Sequence, residues 1–436
     1  YFTRDRNLPP YVSLAIAVAT VLSPPLVFLA TSTLMSECFF AFVLMLTMVV
    51  VERSVKAGHS AKGLQLALLA AALCSVGFLT RSVAIGLLMA VFLYFLKERL
   101  LKSAIAFVIL AAMICGSWML YTRAHTPTPE QQKEQGGHIV LPYTVQFWQA
   151  RAGFVESGTI GVSDLPKRVF RNFVEIAGRD IGRIMVTPLF EALRDPFKEA
   201  QTEKVQSGGS GQFWFPSFIL SLFVIAGFIA AARTRITLAE IAVPILLLIT
   251  MLWPWETFRF VLPLLPFVVF YFALGARELY RWHLRLRKTS DSGGQWGFVG
   301  IAAALVAAIN LYGNVNYLSR SLVASPIDQP QWLQTFNEAE SLLKWVDQGT
   351  PKDAVLATSN PPLVNLYTGR KTVALEDAAA NWQNWNRLGV RYLVHVSVYP
   401  TPLDPAENKY RSVYRSRGGT NFRVTDLGDP SSRPPW

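Results

Sequence analysis

Residues Ser103–Tyr121 read SAIAFVILAAMICGSWMLY, an apolar run of membrane-crossing length without one charged side chain. In lipid, such a run can satisfy its backbone polar groups only as a helix. The same signature recurs outward from it in both directions. Upstream lie Val12–Ala30, Glu37–Val51, Gln65–Thr80 and Val83–Leu96; downstream lie Trp214–Ala232, Leu238–Trp253, Phe260–Ala276 and Trp296–Val315. The expected fold class is a polytopic all-α membrane bundle of about nine spans over residues 1–317.

Composition agrees with this. Hydrophobic residues make up 52% of the 436-residue chain and charged ones only 16%, too apolar a balance for a soluble protein. The net charge of +12 comes from Lys and Arg between hydrophobic runs, not from an aromatic-interleaved groove, so nucleic acid is not an expected partner. Arg4 and Arg6, then Arg53, Lys56 and Lys62, then Lys97, Arg99 and Lys102, then Arg233 and Arg235, and finally Arg277–Lys288 fall on alternate connections. The positive-inside rule places these in the cytoplasm. The remaining connections, around residues 31–36, 81–82, 122–213 and 254–259 and everything after Tyr317, then face outward. Cys38, Cys74 and Cys115 lie in apolar segments without metal-ligand spacing and read as core residues. The chain opens on Tyr1 with no initiator Met and no signal pattern, and reads as a piece of a longer one.

The outer 122–213 loop is too long for a simple connection. Within it, Val162–Ala200 alternates charges with apolar residues at helical spacing, predicting an amphipathic helix along the membrane: a loop helix packed on the bundle, or a cover over a lipid or acceptor groove. Gln206–Gly211 reads as a hinge. After Tyr317 the hydrophobicity stops, and residues 318–436 read as a small α/β domain. Its expected helices are Phe336–Val346, Pro361–Tyr367 and Asp377–Leu388; its strands are Ala354–Thr358, Lys371–Leu375 and Arg391–Val398. Gly369 reads as a helix C-cap followed by surface charge, an account no weaker than ligand binding.

Four polar residues stand at the outward ends of spans. Glu37 follows a helix carrying Pro24 and Pro25; an acid there is costly unless used or paired. A helix-start residue favoured by the dipole is the bland account of it, and a base, metal ligand or acceptor-orienting group the functional one. Arg81 lies between two apolar runs on the side where positive charge is disfavoured. It calls for an anionic partner: a lipid headgroup, a lipid-linked substrate, or Glu37 across the bundle. Glu256 and Arg259 are three apart among aromatic residues in Trp253–Phe260. If the segment is helical they share a face, the carboxylate setting the rotamer of an arginine that grasps phosphate; the alternative is an interfacial aromatic belt with a local ion pair. Pro263 and Pro266 would bend the following span. The five histidines form no metal cluster, and no nucleophile-elbow pattern supports a serine hydrolase.

The acid after the proline-bearing span, the Phe258-Arg-Phe-Val-Leu-Pro-Leu-Leu-Pro266 segment, and Pro351-Lys-Asp-Ala-Val-Leu356 through Leu366-Tyr-Thr-Gly-Arg-Lys371 together resemble one group. They are similar to the GT-C fold glycosyltransferases that use polyprenyl-phosphate sugars, the protein mannosyltransferase and aminoarabinose transferase superfamily. The resemblance implies a bacterial inner-membrane enzyme with an extracytoplasmic carboxy-terminal domain. Its donor would be a polyprenyl-phosphate-linked sugar and its acceptor a lipid, glycan or protein, with no nucleotide at the site. By resemblance Glu37 matches the second acidic position near the active site and Arg259 the arginine that meets the donor phosphate, with Arg81 a loose match. The family's principal catalytic Asp lies in a first outward loop that has no counterpart here, so the piece would be inactive alone. Some relatives use a divalent metal and some none, and one carboxylate does not decide between them. A lipid or solute transporter or flippase, or a noncatalytic envelope assembly protein, are the alternative expectations; paired discontinuous spans or an internal repeat would mark the transporter.

Overall fold

The computed structural model describes residues 1–31, 36–126, 128, 143–150, 158–192, 215–286, 294–323, 331–375, 385–396, 410–416 and 422–428. They form two compact units, one of Tyr1–Ala124 and Tyr143–Tyr317, the other of His125–Pro142 and Leu318–Trp436.

The first unit is a helical bundle. Its helices are α1 (Pro10–Val21), α2 (Pro24–Thr31), α3 (Ser36–Ala57), α4 (Ala61–Thr80), α5 (Ile85–Lys97), α6 (Leu101–His125), the short α7 (Tyr143–Trp148), α8 (Leu165–Glu175), α9 (Ile181–Met185), α10 (Thr187–Ala192), α11 (Phe215–Thr234), α12 (Leu238–Leu252), α13 (Phe258–Val261), α14 (Leu265–Leu286) and α15 (Gly294–Val323). Among the described residues, six helical stretches are long and apolar enough to cross a membrane: Ser36–Ala57, Ala61–Thr80, Leu101–His125, Phe215–Thr234, Phe258–Leu286 and Trp296–Ser319. A seventh arises if α1 and α2, which meet at a 54° bend, count as one broken span. The chain is that of a membrane protein. The expected spans Val83–Leu96 and Leu238–Trp253 fall on apolar helices of shorter length, Ser82–Lys97 and Leu238–Leu252. The bend falls at Pro24 and Pro25, which cannot continue the amide ladder of the preceding helix.

Local chemistry fixes several of these helix ends. Ser60 caps α4 by accepting from the Gly63 amide at 3.1 Å. At the start of α12, Thr237 and Glu240 form a reciprocal capping box. Arg6 grips the Glu240 carboxylate with two hydrogen bonds of 2.9 and 2.7 Å. From α3, the buried Glu52 accepts from the Leu238 amide at 3.3 Å and from the Tyr94 hydroxyl at 3.2 Å. Helices α11 and α14 approach closely where each lacks a side chain. A Cβ on Gly227 would stand 1.8 Å from the Tyr271 carbonyl oxygen, and one on Gly275 2.0 Å from that of Phe223.

The long outer loop differs from its expected form. Instead of one amphipathic helix there is a 3-10 turn at Val162–Asp164, then α8, a π-helical turn at Ile176–Asp180, and α9 and α10. The segment packs on the bundle with its polar stripe inward. Arg168, Asn172 and Glu175 are buried while Phe170 and Phe173 are exposed. The cause is the far end of α12, whose last carbonyls have no intrahelical donor. Asn172 Nδ2 donates to the carbonyls of Met251 and Trp253 at 2.8 and 3.0 Å. Arg168 donates to those of Leu252 at 3.3 Å and Phe147 at 2.7 Å, and to that of Gln149. Residues 193–200 of the expected helix and the hinge at 206–211 lie outside the described residues.

The second unit carries α16 (Gln331–Gly349), β1 (Val355–Thr358), α17 (Pro361–Thr368), β2 (Thr372–Ala374), β3 (Val390–Val396), β4 (Arg411–Arg415) and β5 (Phe422–Asp426). The sheet order is β2-β1-β3-β5-β4. β1 pairs in parallel with β2 and β3, and β5 pairs antiparallel with β3 and β4. Leu342 and Val346 of α16 pack with Leu356, Val394 and Val424, while Trp385, Val373 and Leu393 belong to a second cluster. Most of the expected Asp377–Leu388 helix lies outside the described residues; its end is helical over 385–387. The β4–β5 pair was not anticipated, since neither strand carries a strong alternating apolar pattern. Gly369 is the expected left-handed C-cap, with φ +65°, but Arg370 is not surface charge. It is buried and donates to the Asp347 side chain at 2.9 Å and to the carbonyls of Asp347, Thr350, Pro351 and Thr368.

Candidate functional site

Glu37 occupies the first turn of α3 and is fully buried. Its Oε1 receives Arg81 Nη1 at 2.6 Å and, from Arg259, Nε at 2.9 Å and Nη2 at 2.8 Å. A carboxylate removed from water needs such partners. The structure thus brings together three of the four polar residues singled out in the sequence, and Glu37 is the anion that Arg81 requires. Glu37 Oε2 has no hydrogen-bond partner among the described residues. Two guanidinium groups on one ionised carboxylate leave a net positive charge at this end of the bundle.

The two arginines differ in exposure. The Arg81 side chain is 9% exposed and that of Arg259 50%. Arg81 sits where α4 ends; its backbone is extended, and its amide closes α4 on the Gly77 carbonyl. Its guanidinium lies over the Phe260 ring at 5.0 Å, and Arg183 from α9 covers Phe258 at 4.4 Å. The one-turn helix α13 therefore carries a cation on each flanking aromatic ring and Arg259 between them.

Glu256 takes no part in orienting Arg259. It is exposed and precedes α13, which begins at Phe258. The shared helical face expected for the two residues is absent because the helix starts too late, and no Glu256–Arg259 ion pair occurs among the described residues. Glu256 acts instead, through its field, on Glu175 and Arg179. Pro263 and Pro266 fall where α13 passes through the 3-10 turn Leu262–Leu264 into α14.

A second cluster lies on the other side of α13. The π-helical turn turns both Arg179 and Asp180 inward, and both are buried. Arg179 Nε donates to Asp180 Oδ1 at 2.8 Å, and its Nη2 stands 3.6 Å from Glu175 Oε2. The Thr257 hydroxyl donates to Asp180 Oδ2. Burial pushes the Glu175 carboxyl above its ordinary value, with Arg179 offsetting part of the shift. Its Oε1 is unpartnered. Thr257 and Arg259 are two positions apart at a helix start, so their side chains diverge by about 200°. Asp180 and Glu37 hold α13 from two sides.

The sequence reading missed Glu175, Arg179, Asp180, Arg183 and Thr257. Its signal was the polar stripe Arg168, Asn172, Glu175, Arg179 and Arg183 at steps of three and four, whose spacing shows a shared face without showing what that face meets. Among the described residues, no three His, Cys, Asp or Glu side chains are placed to hold a metal ion. No protein-family model matches the chain, and no curated protein sequence matches it.

Proposed function

We propose that this protein is a membrane glycosyltransferase that moves a sugar from a polyprenyl-phosphate donor to an envelope lipid, glycan or protein acceptor. The observation that carries the reading is the pair of arginines converging on buried Glu37, one of them half-exposed beside a proline-bearing span. Arg259 meets the donor phosphate; Glu37 and Arg81 fix its rotamer, the part the sequence reading gave to Glu256. In the transfer, the acceptor oxygen or nitrogen bonds to the anomeric carbon, the bond from that carbon to the phosphate oxygen breaks with its electron pair leaving on the oxygen, and a base takes the acceptor proton. Guanidinium groups held in place stabilise the charge that grows on the departing phosphate. The alternate basic connections support an orientation with the second unit outside; a bacterial plasma-membrane setting is what the resemblance implies.

The test uses membranes containing the complete gene product, its Glu37→Gln and Arg259→Ala variants, and labelled polyprenyl-phosphate sugars. Transfer by the parent is expected to fall by about 100-fold or more in each variant. Folded protein with no turnover over a broad donor and acceptor panel overturns the enzymatic reading and moves transport or envelope assembly forward.

A further inference from the structure

Glu52 lies fifteen positions along α3 from Glu37, about 22 Å down the helix axis, and its contacts mark the opposite end of the bundle. There a cavity of about 410 Å³ opens between the amino-terminal segment and the ends of α11, α14 and α15. Four arginines line it: Arg6, Arg235, Arg277 and Arg281. Two have carboxylates of their own, Arg6 in Glu240 and Arg281 in Glu278 at 2.9 Å. The acidic Asp5 on its wall is bound by Lys56 at 2.6 Å.

The other two arginines carry the argument. Arg235 forms no ion pair among the described residues, though Glu52 feels its charge. Arg277 also forms none, and its Nε is buried with no hydrogen-bond partner among the described residues. Its guanidinium lies over the Trp296 ring at 4.5 Å. Stacking holds the guanidinium plane while leaving its edge donors for a tetrahedral oxyanion. The wall continues into Phe270, Leu274 and Ala231, so a ligand seated here meets basic and apolar surface together.

We propose that this cavity holds the phosphate of an anionic lipid headgroup, with Arg277 and Arg235 as its ligands and Phe270 and Leu274 against the start of the lipid tail. The shared chemistry is a phosphate ester; the apolar wall at the end of membrane-length helices selects lipid over free phosphate. The assignment is independent of the glycosyltransferase reading, because none of its residues touches Glu37 or Arg259.

The experiment measures binding of fluorescent short-chain phosphatidylglycerol and phosphatidylcholine to the purified complete gene product, with inorganic phosphate as competitor. The expected result is saturable binding of phosphatidylglycerol, weakened at least tenfold in Arg277→Gln/Arg235→Gln and unchanged in Lys344→Gln, an exposed position outside both sites. Millimolar inorganic phosphate should not displace it. Arg277→Lys, which keeps the charge without the planar fork, should show an intermediate loss and decides the matter if the double variant does not fold. Equal binding of the two lipids, or affinity indifferent to Arg277→Lys, overturns the proposal. Displacement by inorganic phosphate alone assigns the cavity to a soluble anion and overturns the lipid assignment.

Discussion

Glu37 serves two arginines unequally, and this separates stability from activity. Its removal leaves Arg81 buried without a counter-ion, a change expected to cost about 3–5 kcal/mol. Arg259→Ala leaves the Arg81–Glu37 pair intact and removes a half-exposed side chain, so its effect on stability should be about 1 kcal/mol or less. Thermal melts in detergent should therefore rank Glu37→Ala far below Arg259→Ala, and equal losses would contradict the observed geometry. Glu175 gives a pH test. Its folded value lies above the ordinary 4.5, so the neutral carboxyl favours the folded state; that contribution is full below 4.5 and is lost as pH rises through the raised value. Glu175→Gln should raise the melting temperature at about pH 8 and leave it nearly unchanged at about pH 4; a loss at pH 8 would mean that the ionised form is needed. At this scale the sequence made Glu37, Arg81 and Arg259 visible, since charge at a span end stands out against apolar neighbours. It hid Asp180 and Glu175, because charges on a long loop look like solvated surface until their buried partners, Arg179 and Thr257, are known.

Two contacts between elements are made on backbone carbonyls. Where α11 meets α14, a methyl at Gly227 or Gly275 would collide with a carbonyl of the facing helix. Flexible side chains cannot absorb that collision; the helices must separate. Gly227→Ala is expected to destabilise the bundle by roughly 3 kcal/mol, near the upper end for overpacking, and to lower the yield of monodisperse protein in size-exclusion chromatography. A wild-type profile would show that the two helices slide freely. Asn172→Ala deprives the carbonyls of Met251 and Trp253 of their donor, at about 1–3 kcal/mol, readable in the same melts. Neither contact was legible beforehand. A lone glycine in an apolar run marks no partner, and the helical spacing around Asn172 shows an amphipathic helix without showing which carbonyls its polar side meets.

Across the whole chain, apolar run length located the bundle helices and the β-branched run at Arg391–Val398 located the central strand, observed at Val390–Val396. Tertiary pairing alone defines the β4–β5 hairpin. The arrangement of basic connections makes a topological prediction. A cysteine at Lys62 should react with a membrane-impermeant maleimide only after cells are opened, and one at Lys352, whose side chain is 85% exposed, in intact cells. The opposite pattern would invert the bundle. Background labelling should be low, because Cys74 and Cys115 are buried and Cys38 is half-buried. The clasp at the start of α12 also sets a clock. Arg6 and Glu240 are 234 positions apart, an interval of about 10–50 s at ordinary rates of translation. Throughout it, Arg6 has been made and its carboxylate has not, and Glu52 waits for the Leu238 amide. Helices α1–α11 are thus born with an open fastening, and a ribosome that stalls ahead of Thr237 leaves it open.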